Sequence, residues 1–180
     1  MHLPVQTSEI FERLCRGQFL SANSNEPSQR RLYQLAERHF EDLSAYFAVL
    51  KLQLRRGEAY IYLTRDTPRS LLEEKFERLG RYFQALEVLL CYRPGLRPGQ
   101  TLIFDELLYA CESRTELRKR LAAFTGKSGE KNAERLLSLL RTLEKEGFVE
   151  AQDESRNVWR VLAALHYLTH MLQRTPTSIA

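Results

Sequence analysis

The stretch from Pro98 to Val161 constrains this chain most, because it joins a strong helix to an abrupt stop and a short hairpin. Ala133, Leu136, Leu137, Leu140 and Leu143 recur at helical spacing, which predicts an amphipathic helix over Glu130–Glu146. Lys131, Arg135, Ser138, Thr142 and Lys145 fall together on its opposite face. Gly147 follows, a residue free to take the positive φ that ends a helix. Phe148 to Ala151 and Val158 to Val161 read as two strands around the polar turn Gln152 to Arg156. Upstream, Thr101 to Phe104 reads as a first strand, and Asp105–Glu112 and Arg114–Phe124 as two more helices. A small strand, helices and a terminal hairpin in that order describe a winged helix.

The first 65 residues repeat the order without repeating the sequence. Ser8 is placed to cap a helix running through Arg16, with Ile10, Phe11 and Leu14 inward. Phe19-Leu20-Ser21 reads as extended, and Ala22 to Ser28 as a polar loop. A helix from Ser28 carries Leu32, Leu35, Ala36 and His39 on one side; the next, Phe40–Val49, turns Leu43, Tyr46 and Phe47 inward. From Leu50 the period drops to two, with Leu50, Leu52 and Leu54 alternating with Lys51, Gln53 and Arg55. Arg56-Gly57 reads as the turn and Ala59–Leu63 as the returning strand.

A long helix, Arg69 to Tyr92, separates the two units. Leu72, Phe76, Leu79, Phe83, Leu86 and Leu90 form a heptad seam. That seam suits either a connector packed into both domains or a contact with another chain. A tail helix, Leu162 to Leu172, closes the chain, and Thr175–Ala180 is expected to fray. The predicted class is mainly α with small β-hairpin wings (α+β), as tandem winged-helix domains joined by a long helix. The units are an N-terminal winged helix over 1–66, a connector over 67–97 and a C-terminal winged helix with its tail over 98–180.

Composition removes several function classes. The longest apolar run falls far short of the roughly 20 residues a membrane span requires, and residues 1–8 lack the pattern of a signal peptide. A cytoplasmic location is expected. Cys15, Cys91 and Cys111 are odd in number, widely spread and flanked by apolar residues, so buried free thiols are expected. His166 and His170 have metal-binding spacing but no evident third ligand. Gly126-Lys127-Ser128-Gly129 only echoes a phosphate loop, lacking the Walker spacing and a preceding strand. No nucleophile stands beside a base. The chain reads as a non-enzyme without metal or cofactor.

Net charge is a mild +4. From Arg114 to Lys145, however, 9 basic residues face 4 acidic ones. Lys131, Arg135 and Lys145 are therefore candidates for DNA contact, with Arg156 and Arg160 on the second wing and Lys51, Arg55 and Arg56 on the first. Glu130, Glu134 and Glu146 are interleaved with the helix cations, the mark of an ordinary solvated face. The wing edges suit an extended partner peptide equally well. Tyr46, Phe47, Phe76, Leu79 and Phe83 are the candidate partner-binding residues.

The wording of the first half is more specific. Leu14-Cys15-Arg16-Gly17-Gln18-Phe19-Leu20-Ser21 precedes the Leu32-Tyr33 helix, then Tyr46 to Leu54 and the closing Gly57-Glu58-Ala59-Tyr60-Ile61-Tyr62-Leu63. This order resembles the MksE subunits of bacterial condensin-like complexes, relatives of MukE and of the equivalent Wadjet subunit, over roughly residues 8–165. The resemblance implies a non-catalytic, kleisin-binding subunit. It implies a homodimer formed largely through the first winged helix, and an SMC ATPase reached through the kleisin. DNA is held by the assembly and only weakly by this chain, in chromosome organisation and segregation or plasmid defence, near the nucleoid. A winged-helix transcription regulator, a plasmid replication initiator and an ScpB-like kleisin partner share the architecture.

Overall fold

The computed structural model describes residues 2–65, 72–126, 129–153, 155 and 157–174. The first unit comprises α1 (Thr7–Cys15), β1 (Leu20–Ser21), α2 (Pro27–Arg38), α3 (Phe40–Val49), β2 (Leu52–Gly57) and β3 (Tyr60–Arg65). After α4 (Leu72–Tyr92), the second unit adds β4 (Thr101–Ile103), α5 (Phe104–Ser113), α6 (Thr115–Thr125), α7 (Asn132–Lys145), β5 (Val149–Asp153) and β6 (Val158–Val161), followed by α8 (Leu165–Arg174). The sheets have matching antiparallel topologies, β1-β3-β2 and β4-β6-β5. The mainly helical architecture with two small wings agrees with the sequence reading. The expected start of the connector at Arg69, the Lys127-Ser128 stretch and the C-terminal fraying lie outside the described residues.

Local chemistry accounts for the boundaries. Pro27 occupies the first position of α2, where its missing N–H costs nothing, so that helix starts one residue before the expected Ser28. Helix α1 starts at Thr7, whose hydroxyl donates to the Pro4 carbonyl at 2.6 Å; Ser8 lies inside the helix and is not its cap. Phe104 opens α5 and does not extend β4. The end of α7 follows expectation. Gly147, at φ 79°, donates to the Glu144 carbonyl at 2.9 Å, and Phe148 to that of Leu143 at 2.9 Å. This paired pattern satisfies two carbonyls left open by the last turn.

The first wing turns later than expected. The two-residue loop is Glu58-Ala59, with Ala59 at φ 61°, and not Arg56-Gly57. Gly57 is instead the last residue of β2, and a Cβ there would overlap the ring of Tyr60 opposite. Its role is to make room for a buried tyrosine.

Each unit has its own core. Ile10, Leu14, Leu20, Leu32, Ala36, Leu43, Phe47, Leu54 and Ile61 fill the first. The second gathers α5, α6, α7, the wing, α8 and the C-terminal half of α4. Tyr82, Ala85, Leu86, Val88 and Leu89 are buried there, whereas Phe76 is 65% exposed. The stripe of α4 that packs inward is therefore rotated from the heptad seam, because α6, α7 and α8 cover its flank. On α7 the inward set is Leu136, Leu139, Leu140 and Leu143, with Leu137 only half-buried.

The two units are joined directly. Phe19, just before β1, packs against Tyr60 and Tyr62 of its own unit and against Phe148 and Tyr167 of the other, at ring distances of 5.3–5.9 Å. The Asn23 side chain donates to the Val161 carbonyl at 3.0 Å and accepts from the Ala163 N–H at 2.8 Å. Glu150 on β5 accepts from the Ser24 hydroxyl at 2.7 Å and from the Asn25 N–H. Replacing Asn23 by alanine strands the Ala163 N–H. An unpaired part-buried donor costs about 1–3 kcal/mol, so urea unfolding of Asn23→Ala is expected to show a loss in that range. A loss below about 0.5 kcal/mol would mean that water replaces the amide without penalty.

Candidate protein-contact and nucleic-acid surfaces

Three of the acids on and beside the basic face of α7 are engaged elsewhere. Glu134 accepts from the Lys131 N–H at 3.4 Å and so caps the helix start. Glu144 accepts from the Ala151 N–H of β5 at 3.1 Å. Glu146 receives the Tyr82 hydroxyl; burial first, and then this carboxylate, hold that phenol well above its usual range. Lys131 and Lys145 are exposed and Arg135 is half-buried. Arg141, which the sequence reading passed over, is exposed on the same helix, and Arg118 and Lys119 are exposed on α6. The mixed charge in the sequence is thus partly a record of capping.

The wing candidates divide. Arg160 is half-buried in the central strand β6, opposite Thr101 on one side and Glu150 on the other, which suits it poorly to an outward contact. Arg156 lies outside the described residues. On the first wing Lys51 and Arg55 are exposed, and the Arg55 guanidinium donates to Gln53 at 2.6 Å. Arg56 is also exposed but lies 4.5 Å over the Phe40 ring and 3.4 Å from Glu37.

The apolar candidates divide likewise. Phe47, read as a partner residue, is fully enclosed in the first core and touches Phe11. It is a core residue, because α3 turns its Leu43–Phe47 edge inward. Tyr46, expected inward, is 38% exposed, and Val49 and Leu50 beside it are 78% and 47% exposed. Together they make an apolar end to α3 that the alternating pattern from Leu50 had disguised. Phe76 stands out on α4, while Leu79 and Phe83 are half-buried.

Leu79 also lines a cleft of about 440 Å³ between the units, with Leu14, Phe19, Tyr62, Tyr82, Phe148 and Tyr167. Arg16, Arg65 and Arg78 lie on the same lining. Nothing in this cleft was visible in the sequence, since its walls come from α1, the first wing, α4, the Gly147 corner and α8.

The remaining reactive groups are quiet. Cys111 is buried, and burial pushes its thiol up to about 11, so it stays protonated at neutral pH. Cys91 is half-buried, but Cys15 is exposed, against expectation, because α1 turns Ile10 and Leu14 inward and leaves Cys15 outside. The His166 and His170 rings stack at 5.9 Å, and His166 faces Glu58 of the first wing at 3.5 Å. Among the described residues no group of three or more His, Cys, Asp or Glu is arranged to hold a metal ion. No helix among them is long and apolar enough to cross a membrane.

Fold and surface together define a tandem winged-helix protein, with a basic helix face on one unit and an apolar helix end on the other. The chain matches the model of the condensin complex protein MksE family over residues 5–172, and it belongs to that family. It is therefore a condensin complex subunit. A search of the curated proteins returns no match.

Proposed function

We propose that this subunit is a non-catalytic, kleisin-binding accessory protein of an SMC complex. It acts in the cytoplasm on chromosome organisation and segregation or on plasmid defence. The observation that carries the reading is the pair of uncovered apolar surfaces, Tyr46-Val49-Leu50 and Phe76, on a member of the MksE family. In this reading residues 1–66 with part of the 67–97 connector form a homodimer. Residues 98–180 present the basic α7 face to DNA that a larger machine already holds. The kleisin carries this subunit to the SMC ATPase.

Purification from the native cell tests it. A kleisin and a large SMC ATPase should co-purify, and Phe76→Ala with Val49→Ser should reduce either that recovery or the dimer mass in light scattering. Each exposed anchor is worth about 1–2 kcal/mol at a well-packed contact, a loss of roughly 5–30-fold. A monomeric mass across micromolar concentrations would remove the dimer.

The engaged acids of α7 favour one alternative, a DNA-binding regulator or initiator. That reading demands tight, steeply salt-dependent binding of duplex DNA by the isolated chain, abolished by Arg135→Glu. Recovery of DNA with no protein partner would make it the better reading.

A further inference from the structure

The first wing has an unguarded edge and the second does not. In the first sheet β2 is outermost, over Leu52–Gly57. Its two-residue loop closes on the Gly57–Tyr60 pair, and such a loop makes the closing pair a hydrogen-bonded one. Alternation then points the N–H and C=O of Gln53, Arg55 and Gly57 to β3, and those of Leu54 and Arg56 outward. Among the described residues no hydrogen bond reaches the backbone of Leu54 or Arg56 from that side.

The second sheet is blunted. Its outer strand β5 bulges between Ala151 and Asp153, and the outward Ala151 N–H is taken by Glu144 of α7. Its other edge, β4, is only three residues long. At the position of Glu144 the first unit has the apolar end of α3, which offers no such acceptor.

We propose that the β2 edge accepts one more strand, an extended acidic segment of a partner protein. Lys51, Arg55 and Arg56 stand on or beside this edge, and no acidic residue occurs from Leu50 to Gly57. A second copy of β2 laid antiparallel would bring arginines against arginines, and like charges opposed across strands destabilise the pairing. A segment alternating Glu or Asp with β-branched residues meets both the backbone row and the charge. The inference deepens the accessory-subunit reading by taking that partner to be a subunit of the same complex, yet its test is separate.

The test uses the full chain, a ten-residue peptide alternating glutamate and valine, and a lysine–valine counterpart. Amide hydrogen exchange by NMR is read residue by residue. The glutamate peptide should slow exchange at Leu54 and Arg56 and leave Gln53, Arg55 and Gly57, already bonded, nearly unchanged. Arg56→Pro, which deletes an outward N–H, should abolish binding where Arg56→Ala only weakens it. Arg55→Glu, on a solvated side chain that leaves the fold intact, should weaken it about tenfold. Equal affinity for the two peptides, or protection without alternation, overturns the proposal. So does an Arg55→Glu effect seen only with duplex DNA. A co-encoded kleisin captured equally well by Arg56→Pro and by the parent protein also overturns the edge assignment, while the accessory-subunit reading stands.

Discussion

Phe19→Ala is expected to lower the unfolding free energy by about 3–5 kcal/mol, the range for removing an enclosed aromatic ring and leaving a cavity. The size follows from where the ring sits. It is 8% exposed and contacts four aromatic rings, two from each unit. Its own backbone N lies 3.7 Å from where a Cβ on Gly147 would stand, an ordinary van der Waals spacing, so the Gly147 corner of the second unit lies beside it. Deleting the ring opens a void that neither unit can fill without losing contact with the other. Phe19→Leu keeps most of the apolar volume and should cost under about 1.5 kcal/mol. Denaturant unfolding measures both, and a loss below about 1 kcal/mol for Phe19→Ala would show that the units are not held through this residue.

Leu86→Ala is expected to cost about 2–5 kcal/mol, against at most about 0.5 kcal/mol for Phe76→Ala. The two residues belong to one heptad seam in the sequence, yet Leu86 is wholly buried and Phe76 is 65% exposed. The difference separates two roles of α4. Its C-terminal half is a core helix of the second unit, whereas Phe76 in its N-terminal half is exposed. Equal losses in thermal or urea melts would mean that Phe76 is covered in solution by more of the protein than the structure shows. A null effect of Phe76→Ala on folding, with a loss of partner recovery, would place it at an intermolecular contact.

Much of the fold was legible because its signals are local. Helix α3 runs over the expected Phe40–Val49, since period and flanking residues define it without help from elsewhere. Gly147 ended α7 because a positive φ is cheap only for glycine. The first hairpin announced itself through alternation and the second through a polar turn between two apolar stretches, and their placement after a helix named the architecture. The motif wording around Leu14–Ser21 and Tyr46–Leu63 pointed to the family that the match over residues 5–172 establishes.

The candidate surfaces were legible only in part. Helical period groups residues onto a face but leaves open how a wide apolar arc is rotated toward its neighbours. Leu137 of α7 and Phe83 of α4 were expected on the inward stripes, but the packing of the surrounding helices puts Leu139 and Tyr82 inside and leaves Leu137 and Phe83 half-buried. Tyr46 and Phe47 are adjacent aromatics; only the first core decides that one is enclosed and the other bare. Gly57 read as a turn residue because nothing local shows that Tyr60 lies over it. Glu134 and Glu146 looked like solvated charges until their partners at Lys131 and Tyr82 came into view.

The sequence by itself determined the elements, their order and the class of protein, because φ preferences, capping and hydrophobic period act over a few residues. The tertiary structure alone decided how Phe19, Asn23 and Glu150 lock the units together, and which wing edge stays open. Those outcomes depend on contacts between residues up to 140 positions apart, and a short-range pattern carries no record of such pairs.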